Sequence, residues 1–277
     1  MLVEMLWKGE VKIVKAGIIA GEGKLPVLIG TEMEKAEIQP VFFYTTGTKL
    51  PKEIEGQRVF YFELGDLNKL TDKMLEEEIE ELVLVGKFTK LGFFTTQLDS
   101  AWQKILAKSP NFQNEPVLKA LIEHFQEKGI EVLSQAKYLK NHIARKGPIA
   151  GEITSELFTE VEFGYEIAKV LADLDISQTV VVKKRAVIAL EGIDGTNATI
   201  LRAGELAKDA VALKVSSSNQ DWRLDVPTIG LDTIKAAIKS NISVIGLEAQ
   251  KVFLIDKEEC IKLANENGLI IYGYSKE

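Results

Sequence analysis

Short apolar runs alternate along the chain with stretches whose apolar positions recur at helical spacing. In the first half the runs fall at residues 11–20, 41–45, 59–64, 82–85 and 130–133. Continuous apolar runs of this kind read as strands buried on both faces, as in a parallel sheet. The first run enters Gly21-Glu22-Gly23-Lys24-Leu25-Pro26 and then a helix through about Ala36. Residues 66–81 place Leu67, Leu70, Met74 and Ile79 at helical spacing beneath an acidic outer face. Residues 115–128 have Pro116 in the first turn, an apolar stripe of Val117, Leu118, Leu121, Ile122 and Phe125, and Gly129 as a stop. Strands alternating with helices predict a Rossmann-like α/β domain with a largely parallel sheet.

From Lys137 the periodicity lapses, and Gly147, Pro148 and Gly151 follow, so residues 137–153 read as a linker. Thr159-Glu160-Val161-Glu162 reads as a capping box opening a helix through about Ala172. Residues 179–183 and 186–190 are strand-like around Lys184-Arg185, a poor turn pair. Helices are expected at 198–208, 231–239 and 258–267, and strands at 211–215, 244–247, 252–255 and 269–272. The prediction is α/β throughout, with two α/β domains, 1–136 and 154–277, joined by the linker.

A chain of 277 residues accommodates two such cores. The net charge of −7 argues against a general nucleic-acid binder, which usually carries a basic excess. The single cysteine, Cys260, excludes an internal disulfide and a Cys-based zinc cluster and suits a reducing cytoplasm. His124 and His142 stand in no metal-ligand spacing, so the chemistry should rest on carboxylates, Lys and Arg. No apolar run approaches the ~20 residues that cross a bilayer. Residues 1–7 are apolar but too short and acidic for a secretory signal.

Two acidic loops follow strand-like runs: Glu191-Gly192-Ile193-Asp194-Gly195-Thr196, and the stretch 220–230, which reads Gln-Asp-Trp-Arg-Leu-Asp-Val-Pro-Thr-Ile-Gly. Carboxylates so placed can hold Mg²⁺ together with phosphate oxygens, and Arg223 between Asp221 and Asp225 could grip a phosphate; acidic loops that merely cap helices and face water are the alternative. Gly21 and Gly23 lie where backbone N–H groups and a helix dipole converge on an anion, although a tight turn without a ligand fits as well. The G-x-G is a fragment of the dinucleotide fingerprint and supports an oxidoreductase poorly. Lys87 and Lys90 follow a strand at the end where ligands bind in open sheets; solvated lysines are the ordinary alternative. Leu91, Phe93 and Phe94 are core or line an apolar groove. The basic residues of the linker meet a phosphate or an anionic membrane surface, or are simply solvated.

Taken together, the stretches 17–26, 85–87 and 174–182, Glu191-Gly192 with Gly195-Thr196, and 220–230 resemble the UDP-2,3-diacylglucosamine pyrophosphatases of the LpxI type, from the lipid A pathway. The resemblance implies Mg²⁺-assisted hydrolysis of UDP-2,3-diacylglucosamine to UMP and 2,3-diacylglucosamine 1-phosphate. It also implies a homodimer in the cytoplasm, with peripheral contact with the inner-membrane surface. It assigns the essential acidic position to Asp225; beside it, Asp194 or Asp221 is expected as a second Mg²⁺ ligand, and Arg223 with Lys214 to stabilise charge on the phosphates. Substrate contacts are expected from Gly21, Gly23, Lys87, Gln178, Glu191, Thr196, Lys214, Gln220, Asp221 and Thr228. Two departures stand out. Asn197 replaces the family's usual Asp, and Ser217, Ser218 and Asn219 occupy a region where a Lys-Pro pair is usual. These departures favour the rival reading, a non-catalytic sugar-nucleotide or lipid-phosphate binding protein on the same fold.

Overall fold

A computed structural model describes residues 14–86, 96–108, 114–224 and 226–276. The chain divides into two compact units at Tyr138/Leu139. Residues 1–13, Lys87, Lys90, Leu91, Phe93, Phe94 and Asp225 lie outside the described residues, and with them the expectations attached to those positions.

The first unit is built on five parallel strands in the order β3-β2-β1-β4-β5: β1 Lys15–Ala20, β2 Gln39–Thr45, β3 Arg58–Phe62, β4 Glu81–Val85 and β5 Glu131–Val132. The helices are α1 Leu25–Lys35, α2 Leu67–Glu76, α3 Ser100–Lys108, α4 Asn114–Glu127 and the short α5 Ala136–Leu139. The largely parallel sheet expected from the apolar runs is observed. Phe42 and Phe43 on adjacent positions of β2 are both buried, as a strand covered on both faces requires. Gly30 in α1 lets Phe42 lie against the helix backbone; a Cβ there would come within 2.5 Å of the Phe42 ring.

The helix expected over 66–81 stops at Glu76. Glu78 turns to φ 57°, its N–H bonds Leu75 O at 3.0 Å, and Ile79 N–H bonds Met74 O at 2.9 Å. That is a Schellman close, a role usually given to glycine. It frees Ile79 to pack under Gly17 of β1 rather than extend the helical stripe.

The second unit has a six-stranded mixed sheet in the order β6-β13-β11-β9-β7-β8. Its strands are β6 Gly147–Ala150, β7 Thr179–Lys183, β8 Ala186–Leu190, β9 Ala210–Lys214, β11 Ile242–Glu248 and β13 Ile270–Tyr274. A two-stranded ladder pairs β10 Thr228–Ile229 with β12 Phe253–Leu254. Helix α6 Ser155–Asp173 covers one face, packing Val161, Tyr165 and Ala168 on Val180, Val211 and Leu213. Helices α7 Gly195–Leu206, α8 Leu231–Lys239 and α9 Lys257–Glu266 contribute Ile200, Ala203, Ile234 and Cys260 to the core on the other face.

Two expectations are revised here. Residues 147–150, read as part of a linker, form strand β6, antiparallel to β13. Gly147 and Pro148 masked it; an edge strand tolerates Pro because one side of its backbone needs no ladder partner. Helix α6 begins one turn before the expected capping box: Thr154 is the N-cap, its Oγ1 accepting from Leu157 N–H at 3.3 Å. Thr159 lies inside the helix and donates to Ser155 O at 3.0 Å.

Candidate active site

At one end of the second sheet, β9 and β11 finish at Lys214 and Glu248, β8 finishes at Leu190, and antiparallel β7 begins at Thr179. The register pairs Thr179 with Lys214 and Val180 with Leu190, so residues distant in sequence meet at this rim. Alternation along β9 sends Val211 and Leu213 into the core under α6. Lys214 points to the opposite face, toward the first turn of α7.

A closed polar network results. Lys214 Nζ lies 2.9 Å from Glu191 Oε2 and 2.9 Å from Thr196 Oγ1, and Thr196 Oγ1 donates to Glu191 Oε1 at 2.7 Å. Thr179 Oγ1 reaches Thr196 Oγ1 at 3.4 Å. Ser177 Oγ accepts from the N–H groups of Thr179 and Glu191, which pins the loop before α7 to the start of β7. The Lys214 and Glu191 side chains are 8% and 14% exposed. Burial pushes the Glu191 carboxyl upward, but Lys214 and bonds from Thr179, Lys214 and Thr196 outweigh it and hold it below the usual carboxylate range. A carboxylate before a helix N-terminus also suits the dipole.

Asp194 precedes Gly195 at the N-cap of α7. Its Oδ1 accepts from Gly192 N–H at 3.0 Å, and its Oδ2 lies 3.1 Å from Arg202, which also donates to Leu190 O. Arg202, and after it the Gly192 amide, hold its carboxyl below the ordinary range. Asn197, one turn into α7, accepts from Thr233 Oγ1 at 2.8 Å and so links α7 to the start of α8.

The second acidic loop leaves β9 through Val215 and Ser216. Val215 N–H bonds the carbonyl of Gln178, whose side chain is half-buried. Ser216 N–H donates to Glu248 Oε2 at 2.8 Å, and Lys169 Nζ bridges Glu248 Oε1 at 3.0 Å and Ser216 O at 2.6 Å. Tyr165 OH also donates to Glu248, and Asp173 accepts from Ser218 N–H and Oγ. The loop is thus fastened by α6 and β11. Sequence reasoning did not single out Lys169, Asp173 or Glu248. The one available signal was Glu248 closing the apolar run of β11.

Beyond this anchor Arg223 folds back on Asp221, with Nε to Oδ1 at 3.0 Å and Nη2 to Oδ2 at 2.7 Å. Gln220 Oε1 sits 3.5 Å from Ser216 Oγ, and Thr228 Oγ1 donates to Val226 O at 2.9 Å. The structure therefore joins Glu191, Thr196 and Lys214 directly, joins Asp221 to Arg223, and sets Asp194 against Arg202. Gly21 and Gly23 belong to the first unit. There Gly21 N–H is taken by Val85 O at 2.8 Å, and Gly23 turns at φ 106°. Among the described residues no three His, Cys, Asp or Glu side chains converge to hold a metal ion.

The arrangement offers a cation, a guanidinium and several carboxylates around a fixed loop at the end of strands, where open α/β sheets bind ligands. Comparison with known proteins supports a kinship that spans the chain. A UDP-2,3-diacylglucosamine pyrophosphatase LpxI of Caulobacter vibrioides is 24% identical over 275 residues, covering 94% of this chain and 97% of that protein. Among solved structures, CobK precorrin-6A reductase gives a TM-score of 0.30 at 9% identity, covering 95% of this chain and 91% of the other. The biotin carboxylase domain of a Hydrogenobacter thermophilus 2-oxoglutarate carboxylase gives 0.28 at 12%, covering 67% and 36%. The LpxI N-terminal domain matches residues 15–142 and the LpxI C-terminal domain residues 145–272, and the chain belongs to the LpxI family.

Proposed function

We propose that the protein hydrolyses the pyrophosphate bond of UDP-2,3-diacylglucosamine, giving UMP and 2,3-diacylglucosamine 1-phosphate. The observation that carries this reading is the match of both family domains, together with kinship over 94% of the chain to a protein named for that activity. Water adds to one phosphorus, the bridging P–O bond breaks, and the departing phosphate takes the electron pair. Asp225 is proposed as the essential carboxylate, either orienting this water or holding Mg²⁺.

Mg²⁺ keeps several waters and takes one or two carboxylates plus phosphate oxygens, so a single Asp and the substrate suffice as partners. Asp194 joins it only by giving up Arg202. When bound, the ion would neutralise pyrophosphate oxygens. Lys214, at the rim of the sheet, stabilises charge on phosphate once Glu191 yields part of its hold, and Arg223 does so by exchanging Asp221 for the ligand. Glu191, Thr196, Gln178, Gln220 and Thr228 shape the surrounding loops. The enzyme would act as a cytoplasmic homodimer touching the inner-membrane surface peripherally. Among the described residues no helix is long and apolar enough to cross a membrane.

The closure of Arg223 on Asp221 favours one second reading, a binding protein that holds the same ligand without turnover. One assay separates the two. UMP release from UDP-2,3-diacylglucosamine is expected with Mg²⁺ and should be lost with EDTA and in Asp225→Ala. Release that persists in Asp225→Ala would refute the placement of catalysis in this loop. Bound but unhydrolysed substrate would favour the binder.

A further inference from the structure

Tyr165, Lys169 and Asp173 follow one another along α6 at intervals of four residues, a spacing that sets side chains one above another on one helix face. All three reach the exit of β9 or its buried partner Glu248. Ser216, where the chain leaves β9, is itself buried. Glu248 accepts from its N–H at 2.8 Å and Lys169 donates to its carbonyl at 2.6 Å, so both backbone polar groups of this residue are held by charged side chains. One turn further along α6, Asp173 accepts from Ser218 N–H at 2.6 Å and from Ser218 Oγ at 2.9 Å. The Ser218 N–H, ahead of the hydroxyl and Lys169, holds the Asp173 carboxyl below its ordinary range and so keeps it an acceptor at neutral pH.

A Lys–Glu pair whose side chains are 18% and 7% exposed adds little stability that apolar residues of the same volume would not. What it supplies here is direction. Beyond the clamp, Gln220 N–H bonds Ser217 O at 3.3 Å and Leu224 N–H bonds Asp221 O at 3.0 Å, so the course set at Ser216 and Ser218 carries into the segment of Asp221 and Arg223. The far end is fixed beside the β10–β12 ladder, where Phe253 N–H bonds Pro227 O at 2.9 Å. We propose that Lys169, Asp173 and Glu248 are positioning residues for the hydrolysis, setting where the second acidic loop presents Asp221 and Arg223 to the ligand. The proposal rests on the pyrophosphatase reading.

Asp173 is exposed, so Asp173→Ala tests the clamp without threatening the fold. With UDP-2,3-diacylglucosamine and Mg²⁺, the full-length variant should lose kcat roughly 10- to 100-fold, the cost of a small misplacement of catalytic groups. Its KM and Tm should stay near those of the parent. Amide hydrogen exchange in a peptide covering residues 217–224 should quicken. Asp173→Asn, whose amide oxygen still accepts from Ser218, should recover most of the rate. Lys169→Met should repeat the kcat loss and the faster exchange, whatever it does to Tm. A parental kcat in Asp173→Ala, a loss that falls on KM, a loss that Asp173→Asn does not recover, or unchanged exchange would each overturn the proposal. UMP release by the parent with kcat indifferent to Asp173 would sink the positioning role alone. A parent that releases no UMP would sink the pyrophosphatase reading, and exchange would then decide the clamp by itself: faster in Asp173→Ala upholds it, unchanged removes it.

Discussion

Glu191 is held between Lys214 and Thr196 at the rim of the candidate site. Its folded-state pKa is depressed, so it contributes stability above its unfolded value, about 4.3, and loses that contribution as pH falls through the folded value. Glu191→Gln forfeits the contribution at neutral pH. The Tm gap between parent and Glu191→Gln should therefore be widest near pH 7 and shrink as pH drops below the unfolded value. A gap that stays constant on acidification would mean that the Lys214 pair adds nothing through ionisation. Glu191, Thr196 and Lys214 could each be singled out from the sequence by residue type and loop position. That they bond one another could not, because it depends on the antiparallel register of Thr179 against Lys214. For the same reason Lys169 and Glu248 stayed hidden: each looks like a solvated charge until α6 and β11 bring them together. Asn197 reads differently in structure as well. As an acceptor for Thr233 it links two helices, a task its amide oxygen performs as well as a carboxylate would.

Strands and helices were mostly legible because apolar periodicity is a local property. Where the end of α2 was misplaced, the cause was a residue in an atypical role, and the same device recurs in helices whose ends were read correctly. Helices α1, α2 and α6 close on Glu37, Glu78 and Asp175, all at positive φ. In each, the following residue bonds back to Met33, Met74 or Leu171. Acids are poor there twice over, since the left-handed conformation favours glycine and the helix C-terminus repels negative charge. Glu78→Gly should therefore raise stability by about 1 kcal/mol, read as a higher denaturation midpoint at unchanged slope. A lower midpoint would show that the Glu78 side chain contributes something its backbone geometry does not explain. The β7–β8 hairpin has the same character. Lys184 and Arg185 both adopt positive φ in a two-residue turn that usually takes Asn-Gly. The hairpin forms because the flanking strands are strongly apolar and Arg185 N–H is held by Glu160.

On the scale of the molecule, the two-unit α/β plan followed from the alternation of runs. Strand β6 did not, because it wears the composition of a linker. Each unit has its own sheet and its own buried core, with Phe43, Leu82 and Phe125 in the first and Val181, Ile245 and Leu247 in the second. Residues 139–277 expressed alone should fold cooperatively, with a sigmoidal thermal transition in far-UV circular dichroism. A featureless melt would show that the second unit depends on the first.

Strand β13 lies inside the second sheet, hydrogen-bonded to β11 on one side and β6 on the other. On the ribosome it is the last strand of the unit to emerge, while the strands of the first unit all precede residue 133. Translation therefore imposes an order. The glycine-turn unit can mature while the rest is still being made. The rim that carries Glu191, Lys214 and Glu248 stays next to an open seam until residues 270–274 fill it, and a chain stalled a few codons early would present β6 and β11 to any neighbour with a strand to lend.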